Sequence, residues 1–342
     1  MKALYFDRHG GPEVLRYGEL PDPEPGPGEA FVRVKAVALN HLDIFVRRGL
    51  PGLILPMPHV GGSDVSGVVA GYGPGADGPP VGTRVVVDPG ILKGEDEWTR
   101  RGEDSVSPLY GILGEHSRGG CAEYLAVPAK NLRTIPEGFD FPEAAAPLLV
   151  GLTAWRMLVG RARLQAGEIV TIIGAGGGVN SIAIQIAKHL GATVIAATST
   201  PEKMAKARAL GADHVVNYRD EDWSKAVYVL TGKRGADVVV DNVGQATLNA
   251  SLRAAARGGR VVTVGGTSGP KAVIDVRLLF AKQISIIGST MGSRADFDEV
   301  LSLVWARKIK PVIDRVLPLA EGRAAHELLE TGAQFGKVVL EV

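Results

Sequence analysis

Four glycines within five residues, Gly174, Gly176, Gly177 and Gly178, separate an apolar run from a helical repeat. Glycine lets a chain turn tightly because no Cβ clashes. A helix opening from such a turn offers unpaired backbone N–H groups and a positive dipole end to a diphosphate. Ahead of the turn, Ile169–Ile173 is β-branched and largely apolar, as a strand buried on both faces requires. Behind it, Val179 begins a stretch in which Ile182, Ile186 and Leu190 keep helical spacing. The combination is that of a dinucleotide site. Asn180 stands where the motif's third glycine belongs, which predicts either a wider helix–strand approach or a polar contact.

The next strand end selects between the two nicotinamide dinucleotides. NAD sites usually place an acid there for the ribose 2′-hydroxyl. Here Thr198, Ser199 and Thr200 are neutral, and Lys203 is placed to neutralise a 2′-phosphate; Glu202 is the acid nearby. NADP(H) is favoured over NAD(H). Three later turns complete the candidate site. They hold Asn242 and Val243, then Gly265 and Gly266, which permit close approach of a nicotinamide, then Ser289, Thr290 and Met291, suited to its carboxamide. His41 is the best proton-transfer candidate, because an unperturbed imidazole titrates near neutrality.

Such turns need a sheet behind them. Apolar runs at 169–173, 193–197, 214–216, 236–240, 260–264 and 284–288 alternate with helical segments, predicting a doubly wound parallel sheet. The chain before them is strand-and-turn rich: Ala30–Leu39, Val65–Ala70 and Arg84–Val87 are separated by Gly/Pro stretches, as in a β-barrel-like domain. Residues 90–118 read as a long charged loop. The expected class is α/β, with a β-rich catalytic domain over 1–147, a nucleotide domain over 148–291 and a C-terminal return to the first domain over 292–342. Helices near 295–307 and 320–331 precede the last strand, 337–342.

Composition removes other classes. A formal net charge of +1 gives no reason to expect nucleic acid or an anionic membrane as partner. No run reaches transmembrane length, and MKALYFDRHGGPEVL lacks a signal peptide's apolar core, so a cytoplasmic location is expected. The single cysteine, Cys121, excludes an internal disulfide and a cysteine-based structural metal site.

Several stretches together resemble the medium-chain dehydrogenase/reductase superfamily: GGPEVL at 10–15, ALNHLD at 38–43, GSDVSGVV at 62–69, GGCAEYLAVPA at 119–129, AAAPLLVGLTAW at 144–155, LGADHVVNY at 210–218 and FGKVVLEV at 335–342. The resemblance implies a GroES-like catalytic domain, a Rossmann domain, a cleft between them, and a homodimer or homotetramer pairing near Gln283–Ser289. It places Tyr218 beside Lys203 at the 2′-phosphate and adds Thr153 and Lys337 to the cofactor contacts.

Zinc members of that superfamily supply ligands at positions held here by Asn40, Ser63 and about Leu149–Val150. The segment matching their four-cysteine lobe has no cysteine. No zinc is expected. Without a Lewis acid, quinones and α,β-unsaturated carbonyls are better acceptors than simple ketones, because the charge that develops is delocalised. By resemblance to zinc-free quinone reductases, Asn40 would polarise the substrate oxygen, with Asp43 orienting it or His41, unless Asp43 is a helix-capping or turn acid; Ser63 and Asp64 would line the same site. The expected partner is a small carbonyl, quinone or alcohol. An alcohol dehydrogenase/aldehyde reductase and a non-catalytic NADP(H)-binding protein stand as alternatives.

Overall fold

The computed structural model describes residues 1–342. They form two compact units, one of 1–150, 292–305 and 310–342, the other of 151–291 and 306–309. No helix is long and apolar enough to cross a membrane.

The first unit is built around β1 (Glu29–Ala38), whose burial alternates with the period of a strand. Asn40 then caps α1 (His41–Arg48) from an extended backbone, and Gly49, at φ 92°, ends that helix. β2 (Asp64–Tyr72) lies antiparallel along one edge of β1, from Ala30 opposite Tyr72 to Ala38 opposite Asp64, with two irregularities in register. This register brings Asp64 to the end of β1 from which Asn40 follows. β3 (Arg84–Val87) extends the sheet beyond β2.

The segment expected as a loop contains a hairpin. β4 (Gly90–Leu92) pairs with β5 (Tyr110–Ile112), and Asp96 organises the residues between them. Its carboxylate accepts from the N–H groups of Trp98 and Thr99, both at 2.9 Å, and from Ser107 Oγ at 2.7 Å. Local side-chain-to-backbone bonds of this kind leave little hydrophobic pattern to read. β6 (Tyr124–Pro128) pairs with the first half of β1, and β7 (Leu132–Thr134) closes on β3.

The second unit carries six parallel strands. β8 (Ile169–Ile173) leads through Gly177 into α2 (Gly178–His189), and β9 (Thr193–Thr198) leads into α3 (Pro201–Ala209). β10 (His214–Asn217), β11 (Ala236–Val240) and β12 (Ala255–Thr263) follow. α4 (Val276–Lys282) then precedes β13 (Ser285–Gly288). Their order, β10-β9-β8-β11-β12-β13, reverses beside β8, where open α/β sheets take their ligands. Ile172, Ile173, Val194, Ile195, Val238, Val239 and Val240 are almost fully buried, as strands with helices on both faces require.

The chain then completes the first unit. α5 (Arg294–Trp305), β14 (Ile313–Pro318), α6 (Gly322–Thr331) and β15 (Lys337–Glu341) follow in order. β15 is parallel to β14 and antiparallel to β1, with Val339 opposite Ala38. That register carries Lys337 back to the level of Asn40, on the edge of β1 opposite Asp64. Arg47 fastens α1 to α6: it is fully buried, ion-paired with Glu330 and 3.3 Å from His326 Nδ1.

Candidate functional site

The end of β1 gathers three polar side chains that lie far apart in sequence. Asn40 Nδ2 donates to Asp64 Oδ2 at 3.0 Å. Lys337 Nζ donates to Asn40 Oδ1 at 2.5 Å and to Asp64 Oδ2 at 2.8 Å. Asp64 Oδ1 accepts from the N–H of Leu149 at 2.7 Å. All three residues are buried, Asp64 and Lys337 almost wholly. Lys337, expected among the cofactor contacts, thus has its ammonium on Asn40 and Asp64. Its partners come from the register of the last strand, which no local motif in the sequence encodes.

Of its two expected roles, Asp43 takes the capping one. Its Oδ2 accepts from Asn40 N at 2.7 Å and its Oδ1 from Gly62 N at 2.8 Å. It makes no hydrogen bond to the Asn40 side-chain carboxamide or the His41 ring. As the third residue of α1 it reaches back to the cap, half of a capping box, and also ties α1 to the segment leading into Asp64. Burial raises its pKa to about 6, against the pull of those two N–H groups. The orienting role falls on backbone, because both oxygens are spent there.

His41 makes no hydrogen bond within the protein. Burial, and then the Lys337 charge, push its pKa below the ordinary histidine value. Both effects work against the protonated imidazole, which disfavours it as the acid. Ser63 is buried, and its Oγ has no partner in the protein. Nowhere do three His, Cys, Asp or Glu side chains meet in an arrangement that holds a metal ion. The donor set at the end of β1, an amide, a carboxylate and an ammonium, does not fit zinc: an ammonium has no lone pair to give.

The second unit presents the glycine turn. Gly174 has φ 78°, a conformation only glycine adopts without strain. Gly177 caps α2 with no side chain, and the first turn of α2 contains no acid. Uncapped N–H groups free of acidic neighbours fit a dinucleotide diphosphate. Gly176, Gly178 and Val179 lie in the same turn. Asn180 resolves to a polar contact: its Nδ2 donates to Ile173 O at 2.6 Å and Gly174 O at 3.1 Å, and its Oδ1 accepts from Asn242 Nδ2 at 2.9 Å. Asn242 Oδ1 in turn accepts from Val264 N at 3.1 Å. Two asparagines thus pin together the ends of β8, β11 and β12.

Neighbouring turns are close-packed on one another. A Cβ on Gly265 would lie 3.2 Å from Asn242 O, and one on Gly266 2.9 Å from Gly269 O. Packing within its own turn thus calls for glycine at 266, while at 265 a side chain would be tight against the turn that holds Asn242. Asp241, which the sequence left without a role, holds this region by accepting from Val243 N, Gly244 N, Thr247 Oγ1 and Ser251 Oγ. Met291 is buried at φ 43°, with Thr153 Oγ1 4.0 Å from its Sδ. Ser289 N donates to Thr263 O at 2.9 Å, its Oγ is buried and unpartnered, and Thr290 is exposed.

At the end of β9, Thr198 and Ser199 are buried and Thr200 caps α3, accepting from Lys203 N at 3.3 Å. Tyr218 N donates to Thr198 O at 3.0 Å, which brings Tyr218 to the same strand end as Lys203. Glu202 sits in the first turn of α3, past the strand, so no acid occupies the strand end itself.

Residues 26–137 match the family model of the alcohol dehydrogenase GroES-like domain, and 178–306 that of zinc-binding dehydrogenase. A quinone oxidoreductase of Pseudomonas aeruginosa is 33% identical, over 99% of both chains. The zinc-type alcohol dehydrogenase-like protein YogA of Leptosphaeria maculans is 33% identical, over 96% of this chain and 94% of its own. A solved NAD-dependent alcohol dehydrogenase is 47% identical over the full length of both chains, with a TM-score of 0.96.

Proposed function

The chain belongs to the medium-chain dehydrogenase/reductase superfamily of nicotinamide-dependent oxidoreductases, and we propose that it is a zinc-independent NADPH-dependent reductase of quinones or α,β-unsaturated carbonyls. Its first unit carries the substrate chemistry and its second unit the cofactor. The carrying observation is the charge-balanced Asn40–Asp64–Lys337 network, in which Asp64 accepts from both partners and which is built on Asn40, at a position where zinc members keep a ligand. Bound nicotinamide supplies the hydride. Asn40 donates to the substrate oxygen as negative charge develops there, Asp43 holds the Asn40 backbone in place, and Ser63 Oγ is an unspent donor. A conjugated acceptor spreads that charge and needs less help than an isolated carbonyl.

The test is reduction of menadione, cyclohexenone, aldehydes and ketones, and oxidation of alcohols, with either cofactor, before and after exhaustive chelation. Quinone and enone reduction is expected to survive chelation. One tightly held zinc per chain, lost together with activity, overturns the proposal. Alcohol oxidation with NAD as the dominant activity would favour the reading suggested by the name of the solved relative. Inactivity on all acceptors despite tight NADPH binding would favour a binding protein.

The NADPH preference rests on Lys203, Tyr218 and the neutral end of β9. Lys203→Ala is expected to raise the KM for NADPH about tenfold and leave that for NADH unchanged, as loss of one charged hydrogen bond implies. An unaltered NADPH/NADH ratio removes Lys203 from the 2′-phosphate.

We further place the protein in the cytoplasm as a homodimer. β13 is an edge strand that carries exposed Ile286 and is preceded by exposed Val273, Val276 and Phe280. Edge pairing across a two-fold axis would cover both features. Light scattering on the purified protein is expected to give twice the chain mass, and a monomer at micromolar concentration rules the pairing out.

A further inference from the structure

We propose that Lys337 and Asp64 are positioning residues that hold the Asn40 carboxamide in one orientation and polarise it, making its remaining N–H a strengthened donor to the substrate oxygen. This rests on the role proposed above for Asn40.

The chemistry of the partners admits a single orientation of the amide. An ammonium has only donors, so it must face Oδ1; a carboxylate has only acceptors, so it must face Nδ2. Turning the amide over would set NH2 against the Lys337 ammonium and oxygen against the Asp64 carboxylate. Both opposing contacts would be buried, at the 2.5 Å and 3.0 Å separations the network now uses. The two charges thus act as a clamp with opposite jaws.

The same contacts change the donor. Lys337 withdraws electron density through Oδ1, and hydrogen bonds in a chain strengthen one another where the surroundings are of low dielectric. One N–H of Nδ2 is spent on Asp64. The other has only Ala38 O, 3.4 Å away, a long and weak contact. That second N–H is the one left to give. Lys337 and Asp64 offset each other's charge, so the device adds no net charge to the unit's interior.

A buried ion pair also has a purely structural explanation, and the experiment separates the two. Removing one partner leaves a bare buried charge and risks the fold. The double variant Asp64→Asn/Lys337→Met removes both charges at similar volume, keeps an oxygen for the Leu149 N–H, and frees the amide to turn over. It is to be made in the wild-type and Asn40→Ala backgrounds. Melting temperature, NADPH binding by fluorescence, and kcat and KM for menadione are then measured on each.

In the wild-type background, kcat is expected to fall about tenfold, the difference between a charge-assisted and an ordinary donor, with NADPH affinity unchanged. In the Asn40→Ala background the same pair of changes is expected to leave kcat within twofold. Equal losses in both backgrounds, or no loss in the first, overturn the inference and leave the role of Asn40 standing. If Asn40→Ala itself keeps full turnover, the underlying reading falls and takes the inference with it.

Discussion

Asn40→Ala is expected to lower kcat for quinone reduction about a hundredfold, the usual cost of deleting one preorganised donor at a developing oxyanion. NADPH affinity should be unchanged, because Asn40 lies on the first unit and no turn of the second depends on it. The KM for the acceptor should move little, since the bond strengthens only as charge builds on the oxygen. Stability will also fall. Lys337 loses an acceptor and Asp64 a donor, both buried, at a cost of about 1–3 kcal/mol. The helix cap should survive, because the Asn40 side chain makes no cap hydrogen bond and the Asp43 carboxylate bonds the Asn40 backbone, which alanine retains. Turnover must therefore be measured well below the variant's melting temperature. Unaltered kcat there discards Asn40 as the polarising donor.

The second unit was legible because its signals are local. Each strand is a short apolar run and each ligand turn follows directly, so reading along the chain gave nearly the observed limits: 193–197 against Thr193–Thr198, 236–240 against Ala236–Val240. β12 is the exception. It begins at Ala255, five residues before the expected 260, because Gly258 at φ 70° and Gly259 read as a turn although they lie within the strand. Asn180 was visible as an anomaly, but its partner Asn242 lies 62 residues away, beyond any local pattern.

The first unit hides its chemistry in register. Asn40, Asp64 and Lys337 meet because β1 pairs with β2 on one edge and β15 on the other, and the last contact spans 297 residues. Asp43 was open to two readings for a related reason. An acid three residues after an asparagine fits both a catalytic pair and a capping box, and only coordinates show which atoms it meets. Tertiary pairing, not side-chain type, decides between such roles.

His326 should set the acid sensitivity of the fold. Its pKa is held at about 3, first by burial and then by the charge of Arg47, 3.3 Å from its Nδ1. Arg47 has only donors, so Nδ1 must be the unprotonated, accepting nitrogen. Protonation would cost that bond and put two cations together in the interior. Because the folded pKa lies below the unfolded value of about 6.5, the stabilisation is complete above pH 6.5 and is lost as pH falls toward 3. By pH 5 the loss is on the order of 2 kcal/mol, at about 1.4 kcal/mol per pH unit below 6.5. Asp43 and Asp88, raised to about 6 by burial, act with the opposite sign: they favour the folded state below pH 3.8 and lose that contribution as pH rises through 6. A single melting curve therefore mixes the two, and the histidine is isolated by comparison with His326→Asn. At pH 7 the variant is expected to be less stable than the wild type, because it loses ring packing between α1 and α6. As pH falls to 5 and then 4, only the wild type carries the His326 penalty, so the gap in urea-unfolding free energy should shrink and then close. A gap constant from pH 7 to 4 would show that His326 titrates alike in the folded and unfolded chain, and that Arg47 fastens α1 to α6 through Glu330 alone.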